Sequence, residues 1–306
     1  MESLKGRDFL RVADWSGDEL LAVLDLAYRL KDERKRYVDE ALLPGRSVGL
    51  LFEKPSLRTR VSFELAVEQL GGHAVHLTGP EIGLGKREST RDIAYVLSGY
   101  LDAIMIRTFS QAMVEELAEH AAVPVVNGLT DDTHPCQALA DAMTIRERLG
   151  RFEGVRVAWL GDGNNVCASL MAICAKLGMD FVAATPPGYE PSEEAIGAAR
   201  AAGGNPLVVE DPREAAAGAN VLYTDVWTSM GQEAEEDQRR HDLAGHRVDA
   251  EMLRLAGPEA IVLHCLPAHI GDEITVDVLY GPQCAAWDEA ENRLHSEKAL
   301  LALVVP

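Results

Sequence analysis

The sequence predicts an α/β protein made of two doubly wound parallel-sheet domains with a ligand cleft between them. Short apolar runs typical of buried strands alternate with stretches whose apolar residues recur at helical spacing. A glycine-bounded break at 150–154 separates two such series, and 306 residues are enough for two cores. We expect one domain over 1–150 and another over 151–287, with a helix over 288–306 packing back on the first.

Composition excludes several classes of protein. A net charge of -20 argues against nucleic-acid and anionic-membrane partners. The five cysteines are scattered without a C-x-x-C pair, which favours neither a disulfide framework nor a zinc site. No apolar N-terminal stretch resembles a signal peptide. We therefore expect a cytoplasmic protein in a reducing compartment, with no bound metal.

The first series begins with a helix over 16–37, because Ser16 is a good N-cap and Glu19 completes a capping box. A strand over 46–52 and a helix over 59–70 follow. The other predicted elements of this series are strands at 73–77, 103–106 and 123–127, helices at 90–99, 112–120 and 137–149, and a mobile loop at 79–89.

The segment Ser56-Leu57-Arg58-Thr59-Arg60 lies between the strand over 46–52 and the helix that follows it. Free N–H groups at a helix N-terminus attract anions, and the hydroxyl and guanidinium groups suit phosphate oxygens. The alternative is a capped helix whose arginines reach solvent. A cluster of Lys54, Arg58 and Arg60 could dominate locally, because salt screens distant charges over about 8 Å.

Two later segments of the first series also carry candidate residues. Arg107 ends a predicted strand, so it is either an anion ligand or a solvent contact. His134-Pro135-Cys136-Gln137 opens a helix with proline where its missing N–H costs little. His134 is either a hydrogen-bond donor or general acid/base, or a structural histidine.

The second series is predicted as strands at 155–160, 180–184, 206–209, 220–224 and 260–263, helices at 166–177, 192–202 and 212–217, a loop at 225–240 and a final helix at 288–303. Its first turn, Gly161 to Val166, resembles a nucleotide-binding turn. Val166 replaces the third glycine of a dinucleotide fingerprint, so a nicotinamide cofactor is not expected. The turn instead places Asn165 at a helix start.

Later in this series, Asp225 follows a strand, and it either pairs with an ammonium group or caps a helix. Ser229-Met230-Gly231 offers a hydroxyl and backbone N–H groups for a carboxylate. Cys265, after another buried strand, is a nucleophile, a proton relay, a polar contact or inert packing. Arg293 lies in an acidic stretch, where a helix salt bridge is the alternative to a ligand role.

In combination and order, these segments resemble the aspartate/ornithine carbamoyltransferase family over essentially the whole chain. The segments that carry the resemblance are 56–60, 107–108, 134–137, 225–231 and 264–267. The element from Asp225 to Gly231 is similar to the ornithine-binding signature of that family. The resemblance implies a trimer or a multiple of trimers, with carbamoyl phosphate and L-ornithine as substrates and no cofactor.

The resemblance also implies a role for each candidate residue. Carbamoyl phosphate would be bound by Ser56, Leu57, Arg58, Thr59, Arg107, His134, Gln137, Cys265, Leu266 and Arg293. Ornithine would be bound by Asn165, Asp225, Ser229 and Met230. Arg107, His134 and Cys265 would be catalytic, with Cys265 in contact with the attacking amine. Leu57 stands where Thr is common, and Glu81 where some relatives carry Gln.

The implied reaction transfers a carbamoyl group to the side-chain amine of ornithine, giving citrulline and phosphate. The residues leave different acceptors open, namely aspartate, acetylornithine and putrescine. Asp225 with Ser229-Met230-Gly231 favours an α-amino acid with a free ammonium group. From different classes, a nucleotide-dependent dehydrogenase is disfavoured by Val166, and a non-catalytic relative is disfavoured by the intact set of candidate site residues. The biosynthetic or catabolic direction stays open.

Overall fold

The computed structural model describes residues 4–83 and 87–306 of the chain. They form two compact units, Met1–Ala140 with Asn292–Pro306, and Asp141–Glu291. The first division falls inside the helix Pro135–Leu149 and the second inside the helix Ala286–Val304. The sequence places these divisions at 150/151 and 287/288 instead, at or near the ends of the same helices.

The first unit contains a parallel sheet of four strands in the order β2-β1-β3-β4. Its strands are β1 (Ser47–Phe52), β2 (His73–Thr78), β3 (Ala103–Arg107) and β4 (Val125–Leu129). Its helices are α1 (Gly17–Lys35), α2 (Leu57–Gln69), α3 (Gly79–Ile82), α4 (Thr90–Ser98), α5 (Gln111–His120) and the start of α6 (Pro135–Leu149). The predicted Ser16–Glu19 capping box is present at α1.

The second unit contains a parallel sheet of five strands in the order β7-β6-β5-β8-β9. Its strands are β5 (Arg156–Leu160), β6 (Asp180–Ala184), β7 (Leu207–Val209), β8 (Val221–Thr224) and β9 (Ile261–His264). Its helices are α7 (Asn165–Leu177), α8 (Glu193–Ala201), α9 (Pro212–Ala216), α10 (Glu236–Leu243), α11 (Ala250–Ala256) and α12 (Val276–Leu279), followed by the start of α13 (Ala286–Val304).

The central strands are almost continuously apolar because helices cover both faces of each sheet. All five residues of β3 are buried, and so are all four residues of β8. The edge strand β9 is also fully buried. Among the residues described, no helix is both long and apolar enough to cross a membrane. The predicted fold class of two parallel α/β domains is confirmed.

Two local predictions differ from the structure, and two helices are missed. The expected loop at 79–89 begins with the short helix α3, and residues 84–86 lie outside the described residues. The expected loop at 225–240 contains the start of α10. Helices α11 and α12 are not predicted at all. These helices are short, and helices of that length have weak periodicity and depend on packing for stability.

Candidate active site

The candidate residues lie where each sheet reverses its winding direction. In the first unit this point is between β1 and β3, and in the second it is between β5 and β8. Loops at the carboxyl ends of such strand pairs form the ligand crevices of open α/β sheets. Ser56 and Arg107 follow or end the first pair, and Asp162 and Asp225 follow the second.

Ser56 is the N-cap of α2, which begins two residues before the predicted helix start at residue 59. Its Oγ accepts the Thr59 N–H at 3.2 Å and donates to Thr59 Oγ1, also at 3.2 Å. Leu57 is 77% exposed, so its side chain is not packed against the site. Any contact from Leu57 to an anion would come from its backbone N–H at the helix terminus.

Two buried arginines from distant parts of the sequence converge on Thr59. Its Oγ1 accepts from Arg107 Nη1 at 3.4 Å and from Arg293 Nη2 at 3.2 Å. Arg293 Nη1 also donates to Gln137 Oε1 at 2.9 Å. Arg58 is half-buried at the start of α2. The structure therefore brings Thr59, Arg107, Gln137 and Arg293 together as a cationic cluster, with Arg58 at the start of the same helix as Thr59.

His134 lies next to this cluster, immediately before α6. Burial, and then the positive charges of Arg293, Arg107 and Arg58, lower the pKa of His134 well below its ordinary value. His134 is therefore neutral at physiological pH and can donate one N–H without adding charge.

Two of the cations in the predicted cluster of Lys54, Arg58 and Arg60 do not join this site. Arg60 is exposed and pairs with Glu64 one helical turn later at 3.0 Å. Lys54 is buried, pairs with Asp131, and lies 4.3 Å from the ring centroid of Phe109. Both side chains therefore have carboxylate partners outside the Thr59 cluster.

Glu81 does not point an uncompensated charge at the phosphate region. Its carboxylate caps α3, where Oε2 accepts from Thr78 N–H and Thr78 Oγ1 at 2.7 Å each. These two hydrogen bonds lower the pKa of Glu81.

Asp225 in the second unit is held by hydrogen bonds from both sides. Its Oδ2 accepts from Asn164 Nδ2 at 2.8 Å, and its Oδ1 accepts from Val226 N–H at 2.7 Å. Asn165 is the first residue of α7, as predicted, and Asn164 is the N-cap of that helix. The N-cap preference of asparagine applies to either residue, so the sequence did not decide between them.

Cys265 follows β9 and donates from Sγ to Asp225 Oδ1 at 2.9 Å. Burial, and then the nearby carboxylates led by Asp225, raise the pKa of this thiol well above its ordinary value. Leu266, the next residue, has a φ of 58° and donates its N–H to His264 Nδ1 at 2.9 Å. Cys265 is therefore a neutral thiol at physiological pH.

Asp225, His264 and Cys265 place one potential metal-ligand atom each within 4.8 Å of one another. His264 is already engaged, because Nδ1 accepts from Leu266 N–H and Nε2 lies 3.1 Å from Glu273 Oε1. This leaves a thiol and a carboxylate, which is fewer ligands than a tetrahedral metal site requires.

In the Ser229-Met230-Gly231 turn, two backbone N–H groups already have side-chain partners. Ser229 N–H donates to Gln232 Oε1 at 3.0 Å, and Gly231 N–H donates to the Glu233 carboxylate at 3.0 and 3.1 Å. These neighbouring side chains occupy backbone groups that the sequence assigns to a substrate carboxylate. Binding of such a carboxylate would have to displace them.

Arg239 joins two loops of the second unit, and sequence reasoning missed it. Its Nε donates to Trp227 O at 2.5 Å, and its Nη2 pairs with Asp162. Its guanidinium also lies 5.0 Å from the ring centroid of Tyr189. Burial, and to a lesser degree Asp225, raise the pKa of Asp162 to about 6, although Arg239 opposes the shift.

Together these features define a two-unit parallel α/β protein with a cationic anion site in one unit and an acidic, thiol-bearing site in the other. The family model of the aspartate/ornithine carbamoyltransferase carbamoyl-P binding domain matches residues 7–147. The model of the Asp/Orn binding domain matches residues 153–304. The chain belongs to the aspartate/ornithine carbamoyltransferase family.

Similar proteins cover the chain from end to end. An ornithine carbamoyltransferase of Symbiobacterium thermophilum is 51% identical and covers 100% of both chains. The structure of ornithine carbamoyltransferase from Pyrococcus furiosus has a TM-score of 0.96 and 48% identity, over 100% of this chain and 99% of that one. The Thermus thermophilus structure has a TM-score of 0.89 and 45% identity, over 98% and 99%.

Replacing Arg239 with Gln tests the buried ion pair. At pH 8 the Asp162 carboxylate would lose its compensating charge, which should cost about 3 kcal/mol of unfolding free energy. The pKa of Asp162 in the folded protein, about 6, is above its ordinary value of 3.8. The contribution of this carboxyl group to the free energy of unfolding is therefore fully present below pH 4 and is lost as pH rises through 6. The loss in Arg239→Gln should therefore be larger at pH 8 than at pH 5, measured by urea unfolding.

Arg240→Gln is the matched control, because Arg240 is the next residue of α10 and makes exposed ion pairs. It should leave the unfolding midpoint nearly unchanged at both pH values. An Arg239→Gln loss that is equal at pH 5 and pH 8 would contradict the ion-pair account.

Proposed function

We propose that this chain transfers the carbamoyl group of carbamoyl phosphate to the side-chain amine of L-ornithine, giving L-citrulline and phosphate. The observation that carries the proposal is the convergence of Arg107 and Arg293 on Thr59 at the α2 N-terminus. It supports a phosphate site in the unit that matches a carbamoyl-P binding domain. The acidic site at Asp225 in the other matched unit supports a cationic amino acid.

The phosphoryl oxygens bind to Ser56, Leu57, Arg58 and Thr59 at the α2 N-terminus, through backbone N–H and hydroxyl groups, and to the arginine forks. These cations hold a dianion, and they also lower the energy of phosphate as a leaving group. Gln137 orients Arg293 through their 2.9 Å hydrogen bond.

The carbamoyl oxygen gains negative charge as the amine attacks. Neutral His134, Arg107 and the hydroxyl of Thr59 are the donors proposed to stabilise it. Because His134 is uncharged, it adds a directed hydrogen bond without competing with the arginines for phosphate. Leu266 and Cys265 are proposed to contact the carbamoyl group from the β9 loop.

The amino acid binds through Asp225, Asn165, Ser229 and Met230 in this proposal. Asp225 pairs with an ammonium group of ornithine, and Asn165 is the first residue of α7. The Ser229–Gly231 turn receives the substrate carboxylate after its own side-chain partners move away.

The chemical step requires a neutral amine. A lysine-like pKa of about 10.4 makes the neutral form cost roughly 4.6 kcal/mol at pH 7. Burial and the arginine charges reduce that cost. The nitrogen then attacks the carbamoyl carbon, the carbon–oxygen bond to phosphate breaks, and a second proton leaves the nitrogen. One of the two protons ends on phosphate, and the other is released to solvent.

A relative from Pyrococcus furiosus is named an anabolic ornithine carbamoyltransferase, which supports a role in arginine biosynthesis here. Assembly as a trimer or a multiple of trimers and a cytoplasmic location stay predictions from the family resemblance.

The acceptor is tested by a colour assay for carbamoylated products with purified protein and carbamoyl phosphate. We expect turnover with L-ornithine at least about a hundredfold above that with acetylornithine, putrescine or aspartate, because a missing charged group leaves a buried partner unpaired. Equal or greater turnover with another acceptor would reassign the substrate. No turnover with any of them would contradict carbamoyl transfer itself.

Cys265→Ala tests whether the thiol moves a proton. Because the pKa of Cys265 lies well above its ordinary value, we expect it to act as a neutral contact. The variant should lose about tenfold in kcat/KM for ornithine, which corresponds to one hydrogen bond of about 1.4 kcal/mol. The limbs of its pH–rate profile should not move, and Cys265→Ser should recover part of the loss. A limb displaced by a full pH unit would make Cys265 the proton acceptor.

A further inference from the structure

A buried carboxylate lies inside the cationic cluster of the first unit. Glu297 is one helical turn after Arg293 in α13 and is 0% exposed. Its Oε1 accepts from Arg293 Nε at 2.9 Å and from Arg293 Nη2 at 2.6 Å. An acid at this position reduces the net charge that Arg293 offers to an anion.

The elements packed around Glu297 supply its electrostatic environment. Arg293 comes from its own helix, Arg107 from the end of β3 and Ser62 from α2, and all three favour the ionised form. Cys136 in α6 also lies near Glu297. Burial and then the charge of Glu297 raise the pKa of the Cys136 thiol. Burial outweighs the arginines and raises the pKa of Glu297 to about 7.

The same guanidinium group is fixed at three points. Besides Glu297, Arg293 donates to Gln137 Oε1 at 2.9 Å and to Thr59 Oγ1 at 3.2 Å. Glu297 therefore orients the guanidinium group of Arg293. It also determines how much of the positive charge of Arg293 is offset.

We propose that Glu297 is a positioning residue that holds Arg293 and makes phosphate binding take up a proton. The inference rests on the proposed function, and it concerns the phosphate end of the proposed site. A dianion beside Arg293 and Arg107 repels the ionised carboxylate, so Glu297 accepts a proton from solvent when phosphate binds. When Glu297 ionises again, its negative charge offsets the positive charge of Arg293. The binding of product phosphate is then weakened, and phosphate is released.

The first test compares wild type with Glu297→Gln, which keeps an acceptor for Arg293 and removes the charge. At pH 6 the KM for carbamoyl phosphate should be similar in the two proteins, because Glu297 is already mostly protonated. By pH 9 the wild-type KM should be about fivefold or more above that of the variant, because one nearby negative charge is then present. The ratio cancels the titration of carbamoyl phosphate itself.

Two further variants separate charge from structure. Glu297→Asp retains the charge and should retain a pH-dependent KM. Glu68→Gln removes an equal charge from the exposed face of α2, far along the helix from its N-terminus, and should follow wild type at every pH. A purely structural Glu297 would lower thermal stability in the Gln variant and leave the KM ratio constant across pH.

The second test uses inorganic phosphate and needs no turnover. Calorimetric titrations at pH 7 in two buffers of different ionisation enthalpy give the number of protons taken up on binding. Wild type should take up roughly half a proton more than Glu297→Gln, because a group with a pKa near 7 is half ionised there. Glu297→Met, of similar volume, replaces the Gln variant if that protein does not fold.

Different measurements test the role of Glu297 and the proposed function. Equal proton uptake in wild type and the neutral variant, or a KM ratio that does not change with pH, would overturn the role of Glu297. Absence of citrulline from wild type would overturn the proposed function, while the phosphate titration would still decide whether Glu297 exchanges a proton.

Discussion

Arg107 and Arg293 reach Thr59 from opposite parts of the sequence, and the arrangement of the first unit makes this convergence possible. β1 and β3 are adjacent, so the α2 N-terminus and Arg107 lie at the same edge of the sheet. The last helix of the chain returns to this unit and supplies Arg293. The N–H groups of the α2 N-terminus and two buried guanidinium groups then create a local positive potential.

This local potential exists in a chain whose net charge is -20. Long-range attraction cannot bring an anion to such a protein, because the distant charges repel it and salt screens them over about 8 Å. Selectivity must therefore come from contact geometry. The neutral state of His134 and the carboxylate of Glu297 both limit the total charge of the cluster, which allows three arginines to remain close together.

In the second unit, the equivalent point of the sheet carries negative rather than positive charge. Asp225 lies at the reversal point between β5 and β8, and its carboxylate accepts hydrogen bonds from Asn164 and Cys265. These donors fix the carboxylate and leave its charge available for a cation. Arg239 stabilises the adjacent acid, Asp162, so that two carboxylates can be buried near each other.

The sequence predicts features that depend on local order, and it fails for those that depend on distant packing. The place of Ser56 near a helix N-terminus and that of Arg107 at a strand end follow from residues within one strand and turn. Arg239 and Glu297 occupy helical positions where a surface ion pair is the ordinary interpretation, so their burial could not be read from spacing. Arg60 looked equivalent to Arg58, although it faces solvent two positions further along α2.

The family resemblance predicted that Arg293 belongs to the same site as residues more than two hundred positions earlier in the chain. The spacing of residues could not predict this. It did not identify Asn164 as the helix cap. The choice between two adjacent asparagines depends on which backbone carbonyl begins the helix, and neither composition nor motif determines that.

The most direct test is a crystal structure with a bisubstrate analogue that joins a phosphonate to the ornithine side chain. We expect the phosphonate oxygens to lie within hydrogen-bonding distance of the α2 N-terminal N–H groups and of Arg107 and Arg293, with the amino-acid end at Asp225. A phosphonate bound elsewhere, with Arg107 and Arg293 still paired only to protein groups, would contradict this expectation.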